Sequence, residues 1–569
     1  MKKITIILVF LLNSVCILAQ STDKPVDLES IPNEKIYMHT NSTMLLVGEY
    51  LYFNVYCLNA KTNQPSEISK TAYVELISSE GERVIRQVID LKDGIGSSDY
   101  FIQTSVGSGN YKLIAHTSWM QNNKYHRIFE QDVFIINPYT SAQAKVRKDS
   151  VVGKVNNHEF DKTSTGISLN HSSFGKREEV IVDLGNYGIK KGNYSISVRK
   201  IGDIPSPSIN TTKEFLEKYT DYEYSYRSRT ETKLPDLRGK LISGRIIPKT
   251  SGIPLNNQQL TLSVPGADYF LKTAATDRKG RFYFSVDESF IEEDAFIQVF
   301  GKNRDKYDFE FNETEFEDIK ELSFADYGIT AAMKQEIIDR SVHNQIENAY
   351  FSLKPDTIKT TLPDNLFEGV ERVEYVLDDY RRFKTIQETF VEIIPYGRIR
   401  KNQGDYEISV LGYEPKMDFE GMPLLVVDGL PVQEVDDFVR NYDSRKIEKI
   451  SIIRSKYYLG SMFYKGVILV ETLNKEFTES YRYDYLEDFK ISSGVSEKNY
   501  FKQDYSLKSS PNVPDFRTQL LWDPNIQFKG NKDKFNFYTS DVSGNFQIII
   551  QGFQNDGKPV SITKTFEVK

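Results

Sequence analysis

Cysteine, histidine and tryptophan are scarce in this chain, with 2, 6 and 2 residues among 569. Cys16 lies in a leader-like N-terminus, which leaves Cys57 as the only thiol beyond it. No intramolecular disulfide can then form, cysteine-rich zinc sites are excluded, and the folded modules must hold by core burial. HEFDK (158–162) lacks a second His four residues on, so two ligands cannot share one helix face. His116 and His126 fall in neighbouring strand patterns without a third ligand and read as a structural pair. No Gly-x-Ser-x-Gly elbow occurs. GIGSSD (94–99) lacks the third glycine and following helix of a dinucleotide loop. SFGKRE (173–178) lacks the upstream glycine of a phosphate loop. The acidic groups Asp90/Asp93/Asp99, Glu292/Glu293/Asp294 and Asp436/Asp437 do not have the alternate spacing of a calcium loop.

A basic surplus is missing as well. Lys and Arg number 72 against 80 Asp and Glu, a net charge of −8, which argues against nucleic acid as a partner because phosphate binding needs clustered cations. Long apolar runs are absent too. The longest, Ile4 to Leu12, falls short of the ~20 residues that cross a bilayer, so no integral membrane span is expected. These absences together predict no enzyme, no catalytic residues, no cofactor and no metal.

What is present begins with MKKITIILVFLLNSVCILAQ: two lysines, an apolar core and small residues before Ala19. This is the pattern of a secretory signal over 1–19, with cleavage expected after Ala19, hence an exported protein. Asn13-Ser14-Val15 before Cys16 fits a lipid-anchor signal poorly. The length implies three to five domains, and hydrophobic residues at 39% with aromatics at 13% suit folded cores and protein interfaces.

Along the chain, LYFNVYCLNA (51–60), AYVELIS (72–78), NYKLIAHTSW (110–119) and RIFEQDVFII (127–136) alternate with period two and predict an antiparallel sandwich over 20–145. Cys57 within it reads as a small core residue. A second β module is expected over 146–202. A linker follows over 203–237, with a short helix capped by Thr211 or Thr212. A third sandwich is expected over 238–312 and a helical connector over 313–362. There Ile338, Val342 and Ile346 lie one turn apart, a stripe expected to face the core. Residues 378–395 place Phe383, Ile386, Phe390 and Ile393 on a second such face. Strand, helix, strand and strand follow: PLLVVDG (423–429), QEVDDFVRNY (433–442), KIEKISIIRS (446–455) and GVILVETL (466–473). Residues 476–569 return to β hairpins as a separate C-terminal segment.

EKIYMHTNSTMLLVGEYLYFNVY (34–56) with SGNYKLIAHTSWM (108–120) resembles a macroglobulin domain of the alpha-2-macroglobulin type, as does FRTQLLWDPNIQ (516–527) followed by FNFYTSDVSGNFQIIIQG (535–552). The Cys-Gly-Glu-Gln thioester of trapping inhibitors is absent, which excludes covalent protease trapping. LISGRIIPKTSGIPLNNQQLTLSV with TDRKGRFYFSV resembles a carboxypeptidase regulatory-like domain, a transthyretin-like sandwich without catalytic residues. PLLVVDGLPV with RKIEKISIIRSKYYLGSMFYKGVILVETL resembles the plug domain of TonB-dependent receptors over 363–475. Asp428, Gly429, Ile447, Glu448, Ile450, Gly460, Gly466, Val467 and Ile468 match that pattern as structural residues. The loop KYYLGSMFYKG is bulkier than a plug's, and no TonB-contact box precedes it.

Too few residues follow Leu473 for a 22-strand barrel, which takes at least ~220 residues, so no transmembrane barrel is expected. The order of modules resembles Bacteroidetes-type envelope proteins. The fold class that follows is multidomain and mainly β: macroglobulin/immunoglobulin-like and transthyretin-like antiparallel sandwiches plus one small α/β plug-like domain. The function implied is a non-catalytic scaffold of the periplasm or outer membrane that binds partner proteins, with a β-barrel supplied by another chain as the expected partner. A stand-alone surface or periplasmic carbohydrate- or peptide-binding protein is the alternative, with YTDYEYSYRS (219–228) as the aromatic cluster for sugar rings.

Overall fold

The computed structural model of the chain describes residues 31–569 apart from 124–127, 141–166, 186–188, 203, 205, 220–231, 291–292, 313–314, 317–318, 360–365, 368, 414–421, 496, 507–512 and 529–532. The signal segment, HEFDK and His126 therefore lie outside the described residues. The fold is multidomain and mainly β, with 45% strand and 14% helix in many separate sheets.

The first sandwich pairs a sheet of Glu34–Thr40, Tyr50–Asn59 and Ile95–Phe101 with one of Met44–Leu46, Phe129–Ile136, Gly109–His116, Thr71–Ser78 and Arg83–Asp90. The alternation works as the sequence implies. Leu51, Phe53, Val55 and Cys57 meet Tyr111, Leu113 and Ala115 in one core. Burial, with Glu34 close by, pushes the Cys57 thiol well above its ordinary range, as for an inert core cysteine. Ile114, apolar on the outer face of its strand, is covered there by Ile77, Ile128 and Phe316.

The second sandwich corrects the expected domain order. Strand Gly192–Lys200 pairs with Gln519–Phe528 on one side and Gly544–Gln554 on the other, while Glu179–Asp183 pairs with Lys534–Tyr538. Val180, Val182, Ile196 and Val198 share a core with Phe537, Phe546, Ile548, Ile550 and Phe566. Residues 146–202 and the C-terminal segment are thus not two modules. Their described strands complete one another, because a few strands alone would leave an apolar face and sheet edges open.

The third sandwich repeats the arrangement on a smaller scale. One sheet holds Arg281–Val286, Lys240–Pro248 and Tyr307–Phe311. The other holds Phe270–Ala275, Gln259–Val264, Glu293–Val299 and Leu486–Ile491. Its last strand comes from beyond residue 476 and pairs with Glu293–Val299, so the segment 476–569 is divided between two sandwiches. Within this sandwich's chain path lies the α/β module. Its sheet runs Val373–Val376, Ile447–Ile453, Val467–Thr472, Leu424–Val427 and Leu430–Pro431, with helices Ile386–Ile393 and Val435–Asn441 against one face. The modules are nested: the second sandwich encloses the third in sequence, and the third encloses the α/β module.

Two connecting segments also differ from expectation. Residues 203–237 are no bare linker. The predicted helix forms over Thr212–Lys218 with Thr211 as its cap in a capping box with Glu214. Phe215 enters the first core beside Tyr37, and Thr212 Oγ1 donates to the Val560 carbonyl at 2.9 Å, so the segment straps the first sandwich to the second. Asp236 at its far end accepts from Ser118 Oγ at 2.9 Å and from the Leu241 amide at 2.7 Å. In helix Lys334–Ala349 the expected stripe faces outward, with Ile338 at 44% and Val342 at 47% exposure. The docked face is set by Arg340, whose guanidinium donates to both Glu49 carboxylate oxygens at 2.6 Å, with Ile337 packed beside it on Met44 and Phe134. Turning the apolar stripe inward would part Arg340 from Glu49 and leave that carboxylate buried and uncompensated.

Because the second sandwich is one cooperative core, Ile550→Ala is expected to cost ~2–5 kcal/mol. Hydrogen exchange should show lost protection in Glu179–Lys200 as well as in Gln519–Val568, whereas independent modules would loosen only the latter.

Candidate functional site

The residues matched to the plug pattern converge in the α/β module and act structurally. Leu424–Val427 is buried on both faces: Leu425 and Val427 pack under the helices, and Leu424 and Val426 pack on the opposite side. This is why the strand reads as an unbroken aliphatic run. Val467 and Ile468 pair with it in parallel, while Ile447 and Ile450 lie on the antiparallel neighbour, all four with no exposure. Glu448 is the exposed member and pairs with Lys475 at 3.2 Å.

Asp428 and Gly429 form the turn. Asp428 adopts φ +48°, a left-handed conformation that Asp tolerates, and its buried carboxylate accepts from the Thr472 amide at 2.8 Å and from Thr472 Oγ1 at 2.5 Å. It thereby ties the turn to the end of the adjacent strand. Gly429, at φ +88°, is a glycine for two reasons. The conformation suits no side chain, and a Cβ there would come within 2.2 Å of Tyr269 Cβ in the third sandwich. Gly460 repeats the theme, since a Cβ would lie 2.7 Å from Thr273 Oγ1. Gly466 faces inward against Val410.

Both turns of the motif are thus used for close approach to the neighbouring sandwich. The Gly266 amide donates to the Asp428 carbonyl at 3.1 Å, and Gln298 Nε2 donates to the Pro431 carbonyl at 2.8 Å. Gln433 Nε2 donates to Gln298 Oε1 at 2.7 Å and to the Val299 carbonyl at 3.0 Å. Arg304 pairs with Glu434 and lies over the Tyr485 ring, and Phe296 joins the module's own core.

The hairpin that carries Gly460 in its turn also has a face turned to solvent. Tyr457–Leu459 pairs with Met462–Tyr464, placing Leu459 and Met462 over Phe367 and Leu424. The opposite face carries Tyr458 and Phe463, cross-strand partners with ring centroids 5.2 Å apart. They are 68% and 43% exposed. The bulk that set KYYLGSMFYKG apart in the sequence therefore becomes an exposed aromatic pair on an anchored hairpin.

The other candidates resolve as structural. His116 Nε2 faces Glu75 Oε1 at 3.4 Å; burial pushes that carboxyl up, but hydrogen bonds from His116 and Arg83 hold it at about 2. No group of three or more His, Cys, Asp or Glu able to hold a metal occurs among the described residues. GIGSSD enters strand Ile95–Phe101, and Arg177 of SFGKRE is paired with Asp541 at 2.6 Å. Asp436 pairs with Arg440 at 2.6 Å and Asp437 accepts from Tyr483. Of the aromatic cluster at 219–228 only Tyr219 is described, and it packs on Phe215 with a centroid distance of 4.7 Å.

Sequence reasoning missed a seam between the first two sandwiches. Tyr52, Asn54 and Tyr56 alternate with Leu51, Phe53 and Val55 and lie on the opposite face of the strand, where Tyr52 and Tyr56 meet the second sandwich. Across it Tyr56 OH donates to Ser195 Oγ at 2.9 Å and Asn41 Nδ2 to Gln519 Oε1 at 3.3 Å, while Gln519 is held within the second sandwich by donating to Ser197 Oγ at 3.0 Å. Tyr52 stacks on Trp522 at 5.9 Å. The available signal was the aromatic character of an outward face that a solvated strand would not need.

No protein-family profile matches the sequence, and no curated protein matches it. Among solved structures, Salmonella alpha-2-macroglobulin reacted with methylamine aligns at 8% identity and a TM-score of 0.24, covering 94% of this chain and 39% of that one. Native E. coli alpha-2-macroglobulin aligns at 10% identity and a TM-score of 0.24, covering 95% and 40%. A tetra-tandem repeat from the extending region of a large adhesion protein aligns at 7% identity and a TM-score of 0.13, covering 95% and 100%. The chain spans about two fifths of the length of the macroglobulins it aligns with.

Gly429→Ala is expected to destabilise the chain by ~2–5 kcal/mol, from left-handed strain and overlap with Tyr269. Combining it with Tyr269→Ala should give a coupling of ~1–3 kcal/mol in chemical denaturation, because the overlap disappears and the strain stays.

Proposed function

We propose that this chain is a non-catalytic scaffold of the cell envelope that binds partner proteins, and that its α/β module docks on an outer-membrane β-barrel made by another chain. The observation that carries the reading is the exposed Tyr458–Phe463 pair, held on a module that is clamped to the third sandwich. Aromatic side chains fixed in place before contact lose little entropy on binding and are the residue type that dominates interface energetics. The nested chain path adds stiffness, since the module leaves and re-enters a sandwich whose final strand, Leu486–Ile491, follows it. The plug resemblance supplies the class of partner, and the leader pattern supplies export to the periplasm or outer membrane. No helix among the described residues is long and apolar enough to cross a membrane, in keeping with attachment through a partner.

Photo-crosslinking from position 458 in gently solubilised envelope should yield an adduct with a β-barrel protein. Tyr458→Ser with Phe463→Ser should abolish the adduct and the co-purification, while shifting stability by less than ~1 kcal/mol, as exposed positions do. A chain that purifies as a clean monomer without an envelope partner would overturn the reading.

A further inference from the structure

The joint between the first and third sandwiches holds two carboxylates that have no ion pair among the described residues. Asp90 ends strand Arg83–Asp90 and lies against Gly494, just past the last strand of the third sandwich. A Cβ on residue 494 would overlap the Asp90 carboxylate, so the approach needs a glycine there. The next amide, of Val495, donates to the Val88 carbonyl at 3.0 Å, which lays this segment along the edge of the first sandwich. Thr71 is paired with Asp90 in the sheet, and the neighbouring Lys70 amide donates to the Asp236 carbonyl at 2.7 Å. Asp236 has no exposure. Its carboxylate accepts from Ser118 Oγ at 2.9 Å and Tyr73 OH at 3.3 Å in the first sandwich, and from the Leu241 amide at 2.7 Å in the third. Both acids therefore sit at one end of one strand pair, where the two sandwiches meet.

The cations nearby are engaged elsewhere. Around Asp90 lie Lys92 and Asp93 from its own strand end, Asp287, Glu288 and Lys272 from the third sandwich, and Glu497 beyond Gly494. Lys272 pairs with Asp287, and Lys92 and Lys359 share Glu497 at 3.4 and 2.8 Å. Asp90 itself makes no hydrogen bond among the described residues. Around Asp236 the charged groups are Lys240 and Arg86. Lys240 Nζ donates to the Ser492 carbonyl at 2.5 Å, and Arg86 pairs with Glu315 at 2.7 Å. The three donors that do reach the Asp236 carboxylate are all neutral.

A carboxyl enclosed without a cation holds its proton more tightly than one in water. Burial pushes Asp90 up to about 6, against Lys92 and with help from Asp287. Burial pushes Asp236 up to about 6 as well, against its hydrogen bonds. The closed joint thus binds protons that the same carboxyls release once exposed, so closure is favoured in acid and weakens as pH rises through about 6. Burial and Arg86 push Lys240 down to about 8, so in acid it is charged whether the joint is open or closed and does not contribute to this response. We propose that the joint is a pH-responsive hinge, which proton uptake by Asp90 and Asp236 closes and their ionisation loosens. Arg83 and Arg86, paired with Glu315 at 3.2 and 2.7 Å, tether the two sandwiches beside it, so the joint opens without the sandwiches parting.

Hydrogen exchange of the full chain at about pH 5 and about pH 7.5, corrected for the intrinsic rate of each amide, reads the closed population at Leu241 and Val495. Protection there should be about tenfold higher in acid, the ratio for one carboxyl that closure raises to about 6. The amides of Gly544–Gln554 in the second sandwich give the reference for any change in global stability. Asp90→Asn with Asp236→Asn, similar in shape and unable to ionise, should raise protection in the neutral buffer and erase the difference between the two conditions. Protection in the unaltered chain that is equal or lower in acid, relative to the reference, would overturn the proposal without any variant. A difference that persists in the folded double variant would overturn it too. No partner takes part in the measurement, so its outcome is independent of the docking reading.

Discussion

Strand Gly192–Lys200 holds the molecule together, because both of its neighbours in the sheet come from the far end of the chain. The hydrogen bond between Ser197 and Gln519 joins residues 322 positions apart. Everything between those points, the strap, the third sandwich, the helix and the α/β module, is an excursion from one sheet. Closing such a loop costs less than its length implies, since each doubling adds only ~0.6 kcal/mol, whereas each fully buried Ile or Phe of the closing core contributes ~1.5–3 kcal/mol. The closure in turn fixes where the other modules sit. Lys200 and Thr518 are bonded at 2.8 Å, so the excursion starts and ends at one point.

Individual strands were legible in the sequence because each alternates against a single core, and period two is visible without knowing the partner. Partners were not legible. Alternation says which residues of YSISVRK face inward and nothing about which strand lies alongside, so 146–202 and 476–569 read as two modules. The helix stripe misled for a related reason. Ile338 and Val342 are apolar and properly spaced, but the orientation was decided by Arg340 and Glu49, residues 291 apart. The Asp428-Gly429 turn and the buried aliphatic strands beside it were legible, because they are local features with local causes. The seam was invisible because a tyrosine or asparagine facing away from one core looks solvated until a second core is placed over it.

The two contacts that position the α/β module and the seam are built differently. The module meets the third sandwich through glycines that permit backbone contact and through paired glutamines whose hydrogen bonds are complete. That surface is finished. The seam is polar and aromatic, joined by hydroxyls and amides.

The nested chain path also sets a clock. Synthesis at 5–20 residues per second puts roughly 15–60 seconds between the appearance of strand Gly192–Lys200 and that of the strands that flank it. Throughout that interval the strand has both edges open, while the third sandwich and the α/β module can mature in full. The stretch Gln519–Val568 completes the sheet that Gly192–Lys200 begins, so closure of the second sandwich waits on it, and a chain interrupted shortly before it would hold finished inner modules on an unclosed frame.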